Sequence, residues 1–357
     1  MSDRVAEVCE QLRARSLDAL IVDDAANLRY LSGFTGSNGI AVIAAEGEAT
    51  FLTDFRYKEQ SATEVDERFA RSIVAQDLLD ELPASLPAGR IGFNDVATSV
   101  ARARRLAEAL GPRAELIAAG GLVEDLRVVK DAREVELVAA AAALVDGIYE
   151  WILERGLAGR SERQVAIDLE HEMRLRGASG PSFSSIVAGG AHAALPHAQP
   201  RDTVIERGTL VIIDIGALVD GYCSDCTRTF AVGEPSAQAR EIYELVLSAQ
   251  QRGLDALAAG LTGFEVDAQA RSVIADGGYG EYHGHGLGHG VGLEIHERPR
   301  LSHKNADELL RIGNVVTVEP GVYLPGTLGV RIEDLTVVTE SGARRLSKFT
   351  KELLVVD

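Results

Sequence analysis

Four acidic side chains stand in segments too apolar to suit a charge. Asp214 lies in Val211-Ile-Ile-Asp-Ile-Gly216, and Asp225 in Tyr222-Cys-Ser-Asp-Cys-Thr-Arg-Thr-Phe230. Glu319 ends the run Val315-Val-Thr-Val-Glu319, and Glu333 follows Gly329-Val-Arg-Ile332. An ionised carboxylate on a strand buried on both faces is costly without a partner or a metal. Asp220-Gly221, between the first two acids, is a hairpin turn signal. Such a hairpin would set Asp214 nearly opposite Asp225, where two anions repel unless a cation sits between them. Arg331 and Glu333 are two apart, so strand alternation points both to one face. Any one of these acids alone reads as a cap or half of an ion pair. Together they read as a metal site.

The nitrogen donor comes from a glycine-punctuated run, His285-Gly-Leu-Gly-His289-Gly-Val-Gly-Leu-Glu-Ile-His296-Glu-Arg-Pro299. Alternate glycines permit close backbone approach. No Gly-Lys-Ser/Thr follows, so a phosphate-cradling loop is excluded, and the His-Glu-x-x-His spacing of helical zinc proteases is absent. One histidine as ligand, with one or two others as polarising groups, completes a hard, oxygen-rich donor set. Such a set suits manganese, cobalt or iron better than structural zinc. Five donors exceed what one ion takes from protein, so two ions sharing carboxylates are expected, about 3.5–4 Å apart, where they lower the pKa of a shared water. Cys223-x-x-Cys226 has no second pair, and reads as two small apolar thiols on a strand.

These residues need strands to hold them. Strands are predicted over residues 209–217, 222–232, 314–318, 330–338 and 352–356, with helices over 237–259 and 263–276. Asp131 opens a long helix to about Arg155, and Ser161-Glu-Arg-Gln164 has the capping-box pattern of another, to about Arg176. Helices beside antiparallel hairpins indicate an α+β domain. Two strand pairs, each carrying two acids, suggest an old duplication. The first third differs. Short strands over 17–22, 39–45, 49–53, 72–75 and 90–93 alternate with helices over 54–62, 78–86 and 98–110, the last capped by Thr98, which makes a small α/β domain. The texture changes after Gly120-Gly121, and the domains are placed at residues 1–124 and 125–357.

Composition narrows the function classes. The chain has 357 residues, 46% of them apolar, enough for a sizeable core. Its 54 acidic and 36 basic residues give a net charge of −18, which argues against nucleic acid or an anionic membrane surface as partner. The longest unbroken apolar run, Leu137 to Val145, is nine residues, against roughly 18 for a membrane span. Residues 1–10 carry acids and no apolar stretch, so no secretory signal is expected. Three cysteines, Cys9, Cys223 and Cys226, cannot build a disulfide framework, which fits a reduced, cytoplasmic protein.

In this order and spacing the chain resembles the metal-dependent Xaa-Pro peptidases, the prolidase and aminopeptidase P group with the pita-bread fold. The match includes Asn27-Leu-Arg-Tyr-Leu-Ser-Gly-Phe34, Asp125-Leu-Arg-Val-Val-Lys-Asp131, Leu195-Pro-His197, the His285 to Pro299 run, Val318-Glu-Pro-Gly321 and Val330-Arg-Ile-Glu-Asp334. The resemblance implies an α/β N-terminal domain for substrate access or dimer contacts, followed by an α+β pita-bread catalytic domain. It implies that Asp214 chelates one metal, that Asp225 and Glu333 bridge both, and that His289 and Glu319 hold the second. Glu319 would also move the nucleophile's proton. His197 and His296 would steady the oxyanion and leaving group, His285 would line the proline pocket, and Arg331 would support the site or the peptide's end. Arg300 matches the arginine that grips a dipeptide's C-terminal carboxylate. The implied cofactor is two divalent ions, manganese first, with cobalt, iron or zinc as alternatives. The implied activity is hydrolysis of the bond preceding proline, dipeptides slightly favoured over the longer substrates of aminopeptidase P, by a homodimer. Non-catalytic relatives that bind partners are the remote alternative, and here every donor position is filled. His192 departs from the pattern, standing where relatives often have asparagine, and is read as a loop residue.

Overall fold

A computed structural model describes residues 3–75 and 77–357, so Met1 and Ser2 of the amino-terminal stretch lie outside the described residues. The chain divides into two compact units, Met1–Arg127 and Val128–Asp357. Among the described residues no helix is long and apolar enough to cross a membrane.

The first unit is built on a six-stranded mixed sheet. Its strands, in spatial order, are Ala70–Val74, Ala49–Asp54, Gly39–Ala44, Ala19–Val22, Gly89–Phe93 and Ala114–Ala118. The apolar positions of these strands, Ile21, Leu52 and Ile91 among them, share a core with Leu106 and Leu110 of the helix Val100–Leu110. Ser99, not Thr98, caps that helix, because its hydroxyl reaches the Arg102 N–H. The predicted helices over 54–62 and 78–86 each split into an α-helical and a 3-10 segment. The helices Arg4–Ala14, Ala25–Ser32 and Leu122–Arg127 and the strand Ala114–Ala118 were not anticipated.

In the second unit two pairs of helices each cover acid-bearing strands. Ala132–Arg155 and Glu162–Leu175 bury Val145, Ile148, Val165 and Leu169 against Val211, Ile213 and Phe230. Ala237–Ala256 and Gly263–Asp276 bury Ile242, Val246, Val266 and Ala270 against Val316, Val318 and Val330. Three of these four helices open with complete capping boxes, Asp131/Glu134, Ser161/Gln164 and Thr262/Glu265, which satisfy otherwise orphaned N–H groups.

The long predicted strands are broken where they approach the acids. Residues 209–217 form Thr209–Ile215 and Ala217–Val219, and 222–232 form Tyr222–Cys223 and Cys226–Val232, leaving Asp225 in the gap. Residues 330–338 are likewise divided between Leu328–Arg331 and Asp334–Thr339, with Glu333 in the gap. No strand forms over 352–356 beyond an isolated bridge of Val355 with Ala231. Asp220 and Gly221, both at positive φ, make the anticipated two-residue turn between Val219 and Tyr222.

Candidate metal centre

Register explains how the acids meet. Asp214 pairs directly with Thr227, not with Asp225 as the hairpin reading had it. Asp225 lies two residues before Thr227, so it sits diagonally from Asp214 and keeps the same face by alternation. The Asp220-Gly221 turn alone sets this register, since Val219 opposite Tyr222 and Asp214 opposite Thr227 belong to one unshifted antiparallel ladder. On the other strand pair, Val318 pairs with Asp334, which places Glu319 and Glu333, one residue further on each side, beyond the end of that ladder.

Asp214, Asp225 and Glu333 each offer a carboxylate oxygen within 4.8 Å of the other two. His289, on the short strand Gly288–Gly290, brings Nε2 to 3.3 Å from Glu319 Oε1 and 3.5 Å from Asp225 Oδ2. The glycines beside it are needed, because a Cβ at Gly288 or Gly290 would run into the carbonyl of Thr317 or Arg298. His289 Nδ1 lies 3.1 Å from the Gly290 carbonyl, an acceptor, so Nδ1 carries the proton. Nε2 then presents a lone pair to two carboxylates, an arrangement that needs a cation or a further proton between them. Asp214 Oδ1 is buried without a hydrogen-bond partner. An orphaned acceptor in a nest of anions fits a divalent metal.

The electrostatics agree. Burial first, then the neighbouring Glu333 and Asp214 charges, push the Asp225 carboxyl well above its ordinary range. Burial with Glu319 and Asp214 does the same to Glu333. Asp214 is raised by burial although Arg331 opposes it. Glu319 is the exception. Burial disfavours its charge, yet when His289 carries that further proton on Nε2, its hydrogen bond and charge hold Glu319 down to about 2.

Residues beside the donors hold them in place. Thr227 Oγ1 donates to Glu333 Oε2 at 2.7 Å and accepts from Arg331 Nε at 3.0 Å. Thr317 Oγ1 donates to Glu319 Oε1 at 3.1 Å and accepts the His289 N–H at 3.1 Å. Arg331 also donates to Asp214 Oδ2 at 2.6 Å, to the Pro196 carbonyl at 3.1 Å and to the Tyr323 hydroxyl at 2.9 Å. It is buried. Sequence reasoning missed Thr227, Thr317 and Tyr323. The two threonines carried a readable signal, since each lies two residues from an acid, Asp225 or Glu319, on the same strand face.

The donors form one wall of a cavity of about 630 Å³. His197, His285, His296, Arg300 and Arg331 line it as well, so the five donors and the five other candidate site residues all line this cavity. His285 Nε2 lies 2.9 Å from the Tyr323 hydroxyl, and the His296 ring meets His289 edge-on with centroids 4.4 Å apart. Arg300 is the direct strand partner of His289. Phe183, Ile186 and Ile295 supply apolar wall. His192 is not an ordinary loop residue. It is buried on the 3-10 turn Gly190–Ala194, with Nδ1 2.9 Å from Glu162 Oε2. None of the three cysteines forms a disulfide.

The sequence profile of the creatinase/prolidase N-terminal domain fits residues 4–129, and that of metallopeptidase family M24 fits residues 136–340. The chain is 37% identical to an Xaa-Pro dipeptidase of Pyrococcus horikoshii, over 99% of both chains. It is similar in structure to an Xaa-Pro dipeptidase from Bacillus anthracis, with a TM-score of 0.95, 41% identity and 99% of each chain covered. It is also similar to an X-Pro aminopeptidase from Thermotoga maritima, with a TM-score of 0.90, 38% identity, and 97% of this chain and 100% of that one covered. With a creatinase-type N-terminal domain, a pita-bread catalytic domain and an acidic cluster able to hold metal, the chain belongs to metallopeptidase family M24.

Proposed function

We propose that this metallopeptidase hydrolyses the peptide bond preceding proline, and that Xaa-Pro dipeptides are its preferred substrates. The observation that carries the dipeptide reading is the pairing of Arg300 with His289. Directly paired residues project from the same face about 5 Å apart. A guanidinium beside the donors suits a substrate whose carboxylate lies one residue, about 3.5 Å, beyond the reacting carbonyl.

Asp214, Asp225, His289, Glu319 and Glu333 would hold two divalent ions, with manganese the best match to an oxygen-rich set. When bound, the ions would supply Lewis acidity and a water of lowered pKa. Glu319, whose Oε1 lies 3.3 Å from His289 Nε2, would accept the nucleophile's proton. His197 and His296, which line the cavity, would donate to the reacting carbonyl and to the departing nitrogen. The bond to proline is a tertiary amide without an N–H, so recognition falls to the ring, for which His285 and the apolar wall provide a surface. Arg331 keeps Asp214 in place. Three cysteines outside any disulfide suit a reducing cytoplasm, and the family resemblance supports a homodimer.

The Thermotoga maritima relative, named an X-Pro aminopeptidase at 38% identity, favours a second reading, in which tripeptides and longer chains are cleaved. Rates on an Xaa-Pro dipeptide and an Xaa-Pro-Yaa tripeptide, before and after Arg300→Ala, separate the two. The dipeptide reading expects KM for the dipeptide to rise roughly ten- to a hundredfold, the loss of one charge-assisted carboxylate contact, with the tripeptide little changed. Unchanged dipeptide kinetics in the mutant remove the carboxylate-clamp idea. Full activity after exhaustive chelation removes the metal.

A further inference from the structure

His197 lies in a segment, residues 189–201, with little regular structure of its own beyond the turn Gly190–Ala194. Its two ends are nevertheless gathered by one buried carboxylate. Glu162, the first residue of the helix Glu162–Leu175, accepts the Gly189 N–H at 3.0 Å on Oε1. His192 Nδ1 lies 3.0 and 2.9 Å from its two oxygens. From the far end of the segment, the Arg201 backbone N–H reaches Oε2 at 3.0 Å and the Arg201 Nε at 3.3 Å. Burial opposes the charge on Glu162, but the Gly189, Arg201 and His192 donors more than offset it and keep the carboxyl below its ordinary range. The helix does not need this side chain for its own start, which Ser161 and Gln164 already cap.

The middle of the segment is held from the opposite side. The Pro196 carbonyl accepts from Arg331, which also holds Asp214. Gly329, two residues earlier on the Arg331 strand, lies so close to the Ala193 carbonyl that a Cβ would overlap it. The segment is thus fixed at 189, 192 and 201 by Glu162 and at 193 and 196 by the strand that carries Arg331. His197 follows the last of these points.

We propose that Glu162 is a positioning residue for His197, and that His192 and Arg201 are its relays. The inference rests on the reading that His197 donates to the reacting carbonyl. Positioning errors of about 1 Å cost up to a hundredfold in rate, and a carboxylate with four donors from both ends of a segment is the means of preventing them.

The test is a double-mutant cycle in the full chain loaded with manganese, assayed on an Xaa-Pro dipeptide. Glu162→Gln should lower kcat roughly ten- to a hundredfold with KM changed less than about threefold. In a His197→Ala background the same substitution should cost less than about twofold, because nothing is left to position. His192→Phe, which keeps bulk and removes the donor, should behave alike with a smaller effect, and it carries the cycle if Glu162→Gln does not fold. In the metal-free protein, Glu162→Gln should speed amide hydrogen exchange over residues 189–201 and leave the helix Ala132–Arg155 unchanged. Retention of the full cost in the His197→Ala background overturns the proposal while leaving the role of His197 intact. Native activity in His197→Ala alone overturns both.

Discussion

Glu333 and Asp334 are neighbours in the chain, equally buried, and belong to opposite electrostatic regimes. Asp334 receives Arg228 at 2.8 Å, Lys351 at 2.9 Å, Arg345 at 3.5 Å and the Gln250 amide at 3.1 Å. Burial alone would raise its pKa, but Arg228, Lys351 and Arg345 hold it below the ordinary value. Glu333 faces three other carboxylates and gains only a threonine hydroxyl close by, with Arg331 reaching it through that same hydroxyl. Charge is satisfied within the protein on one side of the strand and left over on the other. A buried acid is therefore informative only with its cations counted. Asp334 belongs to the framework, and the excess on the Glu333 side is what a metal would neutralise.

This contrast can be broken by moving charge on either side. The largest effect is expected from Asp225→Asn, which should lower turnover on the order of a thousandfold and reduce bound metal, measured on purified protein by elemental analysis. The same substitution should raise the stability of the metal-free protein on the order of 1 kcal/mol, since it removes an uncompensated charge. A metal-free variant less stable than the native chain would show that the acids are balanced without metal.

Across the strand the sign reverses. Asp334→Asn should cost about 3–5 kcal/mol in denaturant unfolding, because Arg228 and Lys351 are left buried and uncompensated. Loss of activity without loss of stability would place Asp334 with the metal donors instead.

The smallest effect is expected in the first unit. There Arg56 and Asn38, by hydrogen bonds, hold Asp54 well below its ordinary 3.8 against a partial burial that raises it. A depressed carboxyl contributes stability above its unfolded value, and that contribution is lost as pH falls through the folded one. Arg56→Ala should therefore lower thermal stability slightly at pH 7, with the two proteins converging as acid protonates Asp54. A difference that grows on acidification would contradict the pairing. Arg56 is largely solvent-exposed, so the effect stays small.

Much of the centre was legible because its signals are local. An acid in an apolar strand stands out within five residues, the Asp220-Gly221 turn within two, and the capping box of Ser161 within four. The hairpin reading put Asp214 and Asp225 together, and their carboxylates do lie within 4.8 Å of one another. It failed on which residue lies opposite Asp214, because a two-residue turn at Asp220-Gly221 puts Thr227 there rather than Asp225, and the ladder runs unshifted past Ser224. A strand over 352–356 was predicted from apolar composition, which does not say whether a neighbouring edge is free to pair.

The remaining contacts join residues far apart in the chain. Arg331 meets Asp214 across 117 positions, Arg228 meets Asp334 across 106, and Glu162 meets His192 across 30. Types and spacing along the chain pointed to an acidic metal site, and Asp214, Asp225 and Glu333 do gather into one. Packing alone decided which arginines those acids would share, that Asp334 would be neutralised while Glu333 was not, and that His192 would face Glu162. Side-chain period is a property of the backbone and can be read in one dimension, whereas charge compensation depends on what the folded sheets and helices bring within a few ångströms.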